Sequence, residues 1–196
     1  MSRVGEVSRQ TRETSIKLRV DLDGTGKTNI NTGVGFFDHM LDQLGRHSLI
    51  DLDVEATGDL QIDSHHTVED TGICLGDALT EALGEKKGIR RYGWALVPME
   101  DALVQVALDL SGRPLLSYSV PVPAEAIGNY DPELTEEFFM ALTRTAGMTL
   151  HIKLQEGKNS HHIVEGVFKA MAQALAIAVE RDPRRGDAVP STKGVL

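Results

Sequence analysis

Apolar positions alternate with polar ones along Ser15–Leu22, so that Ile16, Leu18, Val20 and Leu22 share a face, which predicts a strand. Asp23-Gly24-Thr25-Gly26 reads as a turn, and Thr28–Thr32 as a second strand. From Phe37 to Leu44 the spacing becomes helical, with Phe37, Met40, Leu41 and Leu44 on one stripe. Alternation returns over Leu49–Ala56, and Ser64–Leu83 is helical again through Val68, Leu75, Leu79 and Leu83. The second half runs in the same order: strands at 102–110 and 115–120, a helix at 132–146, a strand at 148–154 and a helix at 160–179. Leu134–Leu142, with Phe138 and Phe139, reads as core.

A repeat underlies this order. His65-His66-Thr67-Val68-Glu69 recurs 96 positions on as His161-His162-Ile163-Val164-Glu165, and Ala78, Leu79 and Leu83 keep that offset in Ala174, Leu175 and Val179. The expected organisation is one unit, residues 1–196, built from two half-domains of about 1–92 and 93–196, with no Pro/Ser-rich linker between them. Sheet-forming and helical segments of comparable weight place the chain among α/β or α+β proteins.

Composition narrows the class. The 196 residues are 41% hydrophobic and 25% charged, which excludes wholesale disorder, collagen and a coiled coil. No apolar run approaches the ~18 residues of a membrane span, and the first residues do not resemble a signal peptide. One cysteine, Cys74, excludes an internal disulfide framework and suits a cytoplasmic setting. A formal net charge of −9 argues against sequence-independent nucleic-acid binding, so any anion must meet a local basic pocket.

The repeat carries the chemistry. Ser64 and Ser160 stand in N-cap positions, which places the paired histidines in the first helical turn. There the positive end of the helix dipole favours neutral, ligand-ready imidazole. His65 and Glu69 share a face at i and i+4, as do His161 and Glu165, while His66 and His162 point about 100° away. Ligands in two directions suit a pair of metal ions, and imidazole plus carboxylate without thiolate points to Mn, Fe or Zn. His39 and His151 gain significance because two ions need more donors than the repeats supply. Pro190-Ser191-Thr192-Lys193-Gly194 combines hydroxyls, an ammonium and a glycine and reads as a phosphate cradle, with Arg91 and Arg113 as bidentate partners. The alternative readings are a frayed polar tail and solvated surface arginines. Gly24, Gly26 and Gly33 form no phosphate-loop or dinucleotide fingerprint.

Several long motifs resemble the imidazoleglycerol-phosphate dehydratase family: residues 37–44, both His-His-x-x-Glu units, Asp109–Pro114, Gly147–His151, Gly157–His162 and Ser191–Leu196. The resemblance runs from Arg12-Glu13-Thr14 to the last residue. It implies an α+β fold, an internal duplication of a sheet-plus-helices half-domain of the ribosomal-S5-domain-2-like group. It also implies a hydro-lyase of histidine biosynthesis that converts imidazole glycerol phosphate to imidazole acetol phosphate. Two Mn(II) ions per active site are implied on His39, His65, His66, Glu69, His151, His161, His162 and Glu165, holding the substrate as imidazolate. Phosphate or substrate contacts fall to Glu13, His39, Gln43, Arg91, Arg113, Lys169, Ser191 and Lys193. Glu13 is the expected proton carrier, beside His65, Glu69, His161 and Glu165 as catalytic residues. The implied assembly is a homo-oligomer of about 24 subunits built from trimers, with sites completed between subunits. One departure concerns Glu100-Asp101, where the family commonly has Asp then Glu, so neither carboxylate receives a role. The same ligands would also suit a dinuclear phosphate-ester hydrolase or a metal-storing cage.

Overall fold

The computed structural model describes residues 3–196. Its first half comprises β1 (Val4–Gln10), β2 (Thr14–Asp21), β3 (Thr28–Asn31), α1 (Gly35–Ser48), β4 (Asp51–Gly58) and α2 (His65–Leu83). The second half repeats them as β5 (Tyr92–Met99), β6 (Ala102–Asp109), β7 (Leu115–Ser119), α3 (Glu133–Ala146), β8 (Thr149–Glu156) and α4 (Ser160–Val179). The two sheets have matching orders, β1-β2-β4-β3 and β5-β6-β8-β7, each antiparallel except for its last, parallel pair. This is an α+β fold made of two sheet-plus-helices halves.

One face of each sheet is apolar and carries helices. Ile16, Leu18 and Val20 of β2, and Val104, Val106 and Leu108 of β6, turn inward by strict alternation. The halves join through helices: α2 packs on α3, and α1 on α4, so each half's second helix meets the other half's first. Phe37, Phe138, Phe139, Phe168 and Tyr130 are fully buried, in agreement with the core reading of Phe138 and Phe139.

One pair of strands went unread in the sequence, and two sequence expectations need correction. The edge strands β1 and β5 lie outside the alternation pattern because their deeply buried position is a glycine rather than a large apolar residue. A Cβ on Gly5 would lie 2.0 Å from the Ala78 carbonyl oxygen of α2, and one on Gly93 1.8 Å from that of Ala174 in α4. Leu49 is not the start of a strand but the left-handed C-cap of α1, with φ 59°, a position that Gly147 fills after α3 with φ 60°. Finally, α4 is, among the described residues, the one helix long and apolar enough to cross a membrane; 72% of that stretch is buried inside the protein, as expected of a core helix.

Candidate metal centre and anion site

The histidine pairs do stand in the first turn of their helices, but the capping differs from the expected serines. Asp63 accepts the His65 amide at 2.8 Å, and Ser64 makes no side-chain cap. In α4 the cap is Asn159, whose side chain accepts from the His162 amide at 3.2 Å, while the Ser160 hydroxyl accepts from Ala124 instead. An amide or carboxylate oxygen at these positions reaches the free helical N–H groups that the serine hydroxyls do not.

Within each motif the two histidines diverge. The first turns to its own glutamate, His161 Nε2 lying 2.9 Å and His65 Nε2 4.0 Å from the carboxylates of Glu165 and Glu69. The second turns to an aspartate from a loop: His66 Nδ1 is 3.0 Å from Asp59, and His162 Nδ1 2.6 Å from Asp101. Both aspartates therefore engage Nδ1 and leave Nε2 unengaged by them, an arrangement suited to orienting a metal-binding imidazole. Asp101 also accepts from the amides of Lys158 and Asn159, and its carboxyl is held well below the usual range, first by His162 and then by those amides. The Asp59 bond raises the His66 pKa.

Helix packing brings donors of both halves together. His39 on α1 faces α4, with Nε2 3.4 Å from Glu165. Among the described residues, His39, His161 and Glu165 form the one group of three donors whose ligand atoms all lie within 4.8 Å of one another. Glu165 is 5% exposed, and Lys169 Nζ stands 2.6 Å from its other oxygen. Burial pushes the Glu165 carboxyl up, but Lys169 and His161 together outweigh it and hold it ionised. Gln43 lies one turn beyond His39 and meets His47 at 3.1 Å; Gln173 in turn donates to the His47 carbonyl. Two ladders spaced by four residues thus face each other, 39-43-47 and 161-165-169-173. Sequence reading did not single out His47, Gln173 or Asp59, and it noted Asp101 without giving it a role; the four-residue spacing was the available signal for the first two.

The remaining residues separate into other places. Glu13, in the β1–β2 connection, has its carboxylate 3.9 Å from His66 Nε2. His151 is exposed on β8 between the buried Leu150 and Ile152, so it points from the sheet face opposite α4. Arg91, 8% exposed, forms a bidentate pair with Asp109 at 2.6 and 3.0 Å and donates to the Pro190 carbonyl at 2.8 Å. Arg113 approaches the same Asp109 at 3.8 Å. Arg91 therefore ties the turn that carries Ser191 and Lys193 to the strand end that leads to Arg113. This basic group sits at the far end of α4, where the Arg91 amide donates to Ala178. Thirteen residues of helix separate Ala178 from Glu165, about 20 Å at 1.5 Å per residue.

A duplicated α+β scaffold with nitrogen and oxygen donors gathered where its halves meet defines a class suited to a hard or borderline divalent ion. Comparison with known proteins is specific. Residues 32–175 match the family model described as imidazoleglycerol-phosphate dehydratase. Imidazoleglycerol-phosphate dehydratases of Cereibacter sphaeroides and Ruegeria pomeroyi are 62% and 60% identical, each over 99% of this chain and 100% of its own length. The crystal structure of the Staphylococcus aureus imidazoleglycerol-phosphate dehydratase superposes with TM-score 0.83 at 40% identity, covering 91% of this chain and 99% of that one. A Pyrococcus furiosus structure, described as a complex with (S)-C348, gives TM-score 0.83 at 38% identity over 97% and 100%. The chain belongs to the imidazoleglycerol-phosphate dehydratase family and is a hydro-lyase of histidine biosynthesis.

Proposed function

We propose that the chain dehydrates D-erythro-imidazole glycerol phosphate to imidazole acetol phosphate at a dinuclear Mn(II) site. The observation that carries this reading is the His39–His161–Glu165 cluster with its oriented neighbours. The donor set fits such an ion: imidazole and carboxylate, no thiolate, and Nε2 of the second histidines left free by Asp59 and Asp101. Residues proposed to hold the two ions are His39, His65, His66, Glu69, His151, His161, His162 and Glu165. When bound, the ions supply the electrophilic charge that lets an imidazole ring accept electron density, which a proton with no neighbouring carbonyl requires.

The chain's own residues do the rest. Glu13, half exposed and beside His66, moves the proton. Gln43 and His39 line the approach from α1. Lys169, Arg91, Arg113, Ser191 and Lys193 bind phosphate, Lys169 at the cluster and the other four at the far end of α4. A glycerol phosphate chain is shorter than the ~20 Å between those ends, so one subunit does not supply both groups to one substrate. His151, on the opposite sheet face, is likewise placed for a neighbour. Both features support a homo-oligomer, proposed as about 24 subunits built from trimers, with sites closed between subunits. Residues 1–196 are proposed to act as a single catalytic unit of two repeats, in the cytoplasm.

Pure protein assayed with manganese and imidazole glycerol phosphate tests the reading. The expected product is the ketone without free phosphate. Release of inorganic phosphate would instead mark a dinuclear hydrolase, and metal uptake without turnover a storage cage.

A further inference from the structure

The two halves differ at one buried point that their common fold does not explain. Asp70 of α2 is 7% exposed, and its carboxylate accepts from the Thr14 hydroxyl and from Arg9 Nε at 3.1 Å. At the matching positions of the second half stand Gly166 and Ala102, neither of which can make such a bond. A Cβ on Gly166 would already lie 3.0 Å from Val104. The second half builds the same helix on the same sheet order without the polar pair. Packing α2 on its sheet therefore does not call for a buried carboxylate.

What the pair does hold is a turn. Thr14 spends its one hydroxyl hydrogen on Asp70, so in the 3.2 Å contact between Thr11 and Thr14 it is Thr11 that donates. The Thr11 oxygen is then left to accept two amides, from Glu13 at 3.1 Å and Thr14 at 2.9 Å. Asp70 thus anchors a hydrogen-bond relay that ends on the amide of Glu13 itself, whose carboxylate stands 3.9 Å from His66 Nε2. Such relays strengthen link by link, and an ionised acceptor at the root strengthens them most. In the second half the corresponding acid is Asp101, which is shorter and bonds directly to His162 and to two amides. The longer, half-exposed Glu13 lacks such bonds, so its backbone is fixed in their place.

We infer that Asp70 is a positioning residue, which through Thr14 and Thr11 holds the Glu13 carboxylate beside His66 for proton transfer. The inference rests on the proposed role of Glu13. Asp70→Asn keeps the shape and removes the charge, Thr14→Val removes the hydroxyl, and Thr14→Ser restores it.

The expected result is a loss of kcat of about 10- to 100-fold in Asp70→Asn and Thr14→Val, the range a misplaced group of ~1 Å produces. KM and manganese content stay at the parent values, Thr14→Ser is close to the parent, and amide exchange at Glu13 and Thr14 speeds up. In a Glu13→Gln background neither substitution lowers turnover further, because both act through the group already removed. Losses that multiply in that background mark a merely structural role and overturn the inference. So does parent-like turnover in Asp70→Asn and Thr14→Val when Glu13→Gln is inactive, an outcome that leaves the role of Glu13 standing. Full activity in Glu13→Gln removes that role and takes the inference with it. Should Asp70→Asn fail to fold, the Thr14 pair decides alone.

Discussion

Replacing the glutamate of each motif by glutamine separates metal binding from fold stability. Glu69→Gln and Glu165→Gln each remove one anionic donor at constant volume, so both are expected to lose bound manganese and turnover. Their metal-free stabilities should differ, because the two glutamates sit in different surroundings. Glu165 is 7% exposed at its side chain, with Lys169 at 2.6 Å and His161 at 2.9 Å, whereas Glu69 is 35% exposed, with His65 at 4.0 Å and Arg144 at 3.8 Å. Losing a charge-assisted bond at a buried site costs about 1.5–3 kcal/mol, and a half-exposed pair at 4 Å about 0–1 kcal/mol. A chain of this size shifts by roughly 2–4 °C per kcal/mol, so apo Glu165→Gln should melt about 3–12 °C below the parent. Glu69→Gln should stay within about 4 °C of the parent on the same scale. The pH dependence has a definite sign. The Glu165 pKa lies below its ordinary value of 4.5, so its contribution is present above 4.5 and is lost as pH falls through the lower, folded value. The gap to Glu165→Gln should therefore be full at neutral pH and close on acidification. Calorimetry on chelator-treated protein, with manganese content and turnover on the loaded protein, reads all of this. Equal apo melting of the two variants would refute the burial argument; full manganese content and activity in either would refute the assignment of that glutamate as a ligand.

Further outcomes follow from single features. Leu49→Gly should stabilise the chain by ~1 kcal/mol, about 2–4 °C, because a leucine at φ 59° with an exposed side chain pays strain that Gly147 avoids; unchanged or lower melting would refute this. Lys193→Ala should weaken substrate binding by about 10- to 100-fold and leave manganese binding unchanged, as titration calorimetry would show; parent-like substrate affinity would make the tail only a tail. Chelator-treated protein should scatter light as a smaller species, expected to be a trimer, and manganese should drive it to the large assembly, since an ion bound only by the assembled state stabilises it. Acid should act like the chelator, with His66 protonating early as pH falls because Asp59 raises its pKa; a mass unchanged by metal would refute the linkage.

What the sequence made legible follows from range. Helices α2 and α4 were readable to within a residue because their three- and four-residue spacing is a local signal, and the duplicated His-His-x-x-Glu unit marks the chemistry in the same stretch. Strands β1 and β5 were not, since their inward position is occupied by Gly5 and Gly93, whose reason is a carbonyl on another element. The capping aspartate and asparagine adjoin the expected serines, and only geometry decides which oxygen reaches the free N–H groups. His39 is a lone histidine on a short helix stripe; its place beside Glu165 depends on α1 crossing α4, a contact between halves that no local pattern encodes. Nothing in the local pattern sets Asp59 or Asp70 apart from a surface aspartate or gives Asp101 a role, and each takes its contacts from a partner distant in sequence or on a separate element.

Comparing the halves position by position sorts these residues further. Gly5 and Gly93, each against an alanine carbonyl, and the inward aliphatics of β2 and β6 are kept in both copies, as shared packing requires. Three of the places where the copies part carry proposed roles: Glu13 against Asp101, Asp70 against Gly166, and His39 on α1 against Glu137 on α3. The last pair has a direct consequence. Across α1 and α4 an imidazole meets His161 and Glu165 and completes a three-donor cluster. Across α3 and α2 the matching residue is a glutamate, which lines the same cleft as His65, while Glu69 faces Arg144 at 3.8 Å. Within one chain the duplicated motif therefore produces one nearly closed donor set and one open set. A second ion on the proposed site needs donors that this subunit's first half does not bring to His65 and Glu69. The exposed His151 is a metal donor of the kind a neighbouring copy would present, and the basic group at the far end of α4 is a phosphate partner of that kind. Duplication made the scaffold symmetric, and under the proposed dinuclear site the divergence at position 137 leaves the His65–Glu69 half to be completed by another subunit.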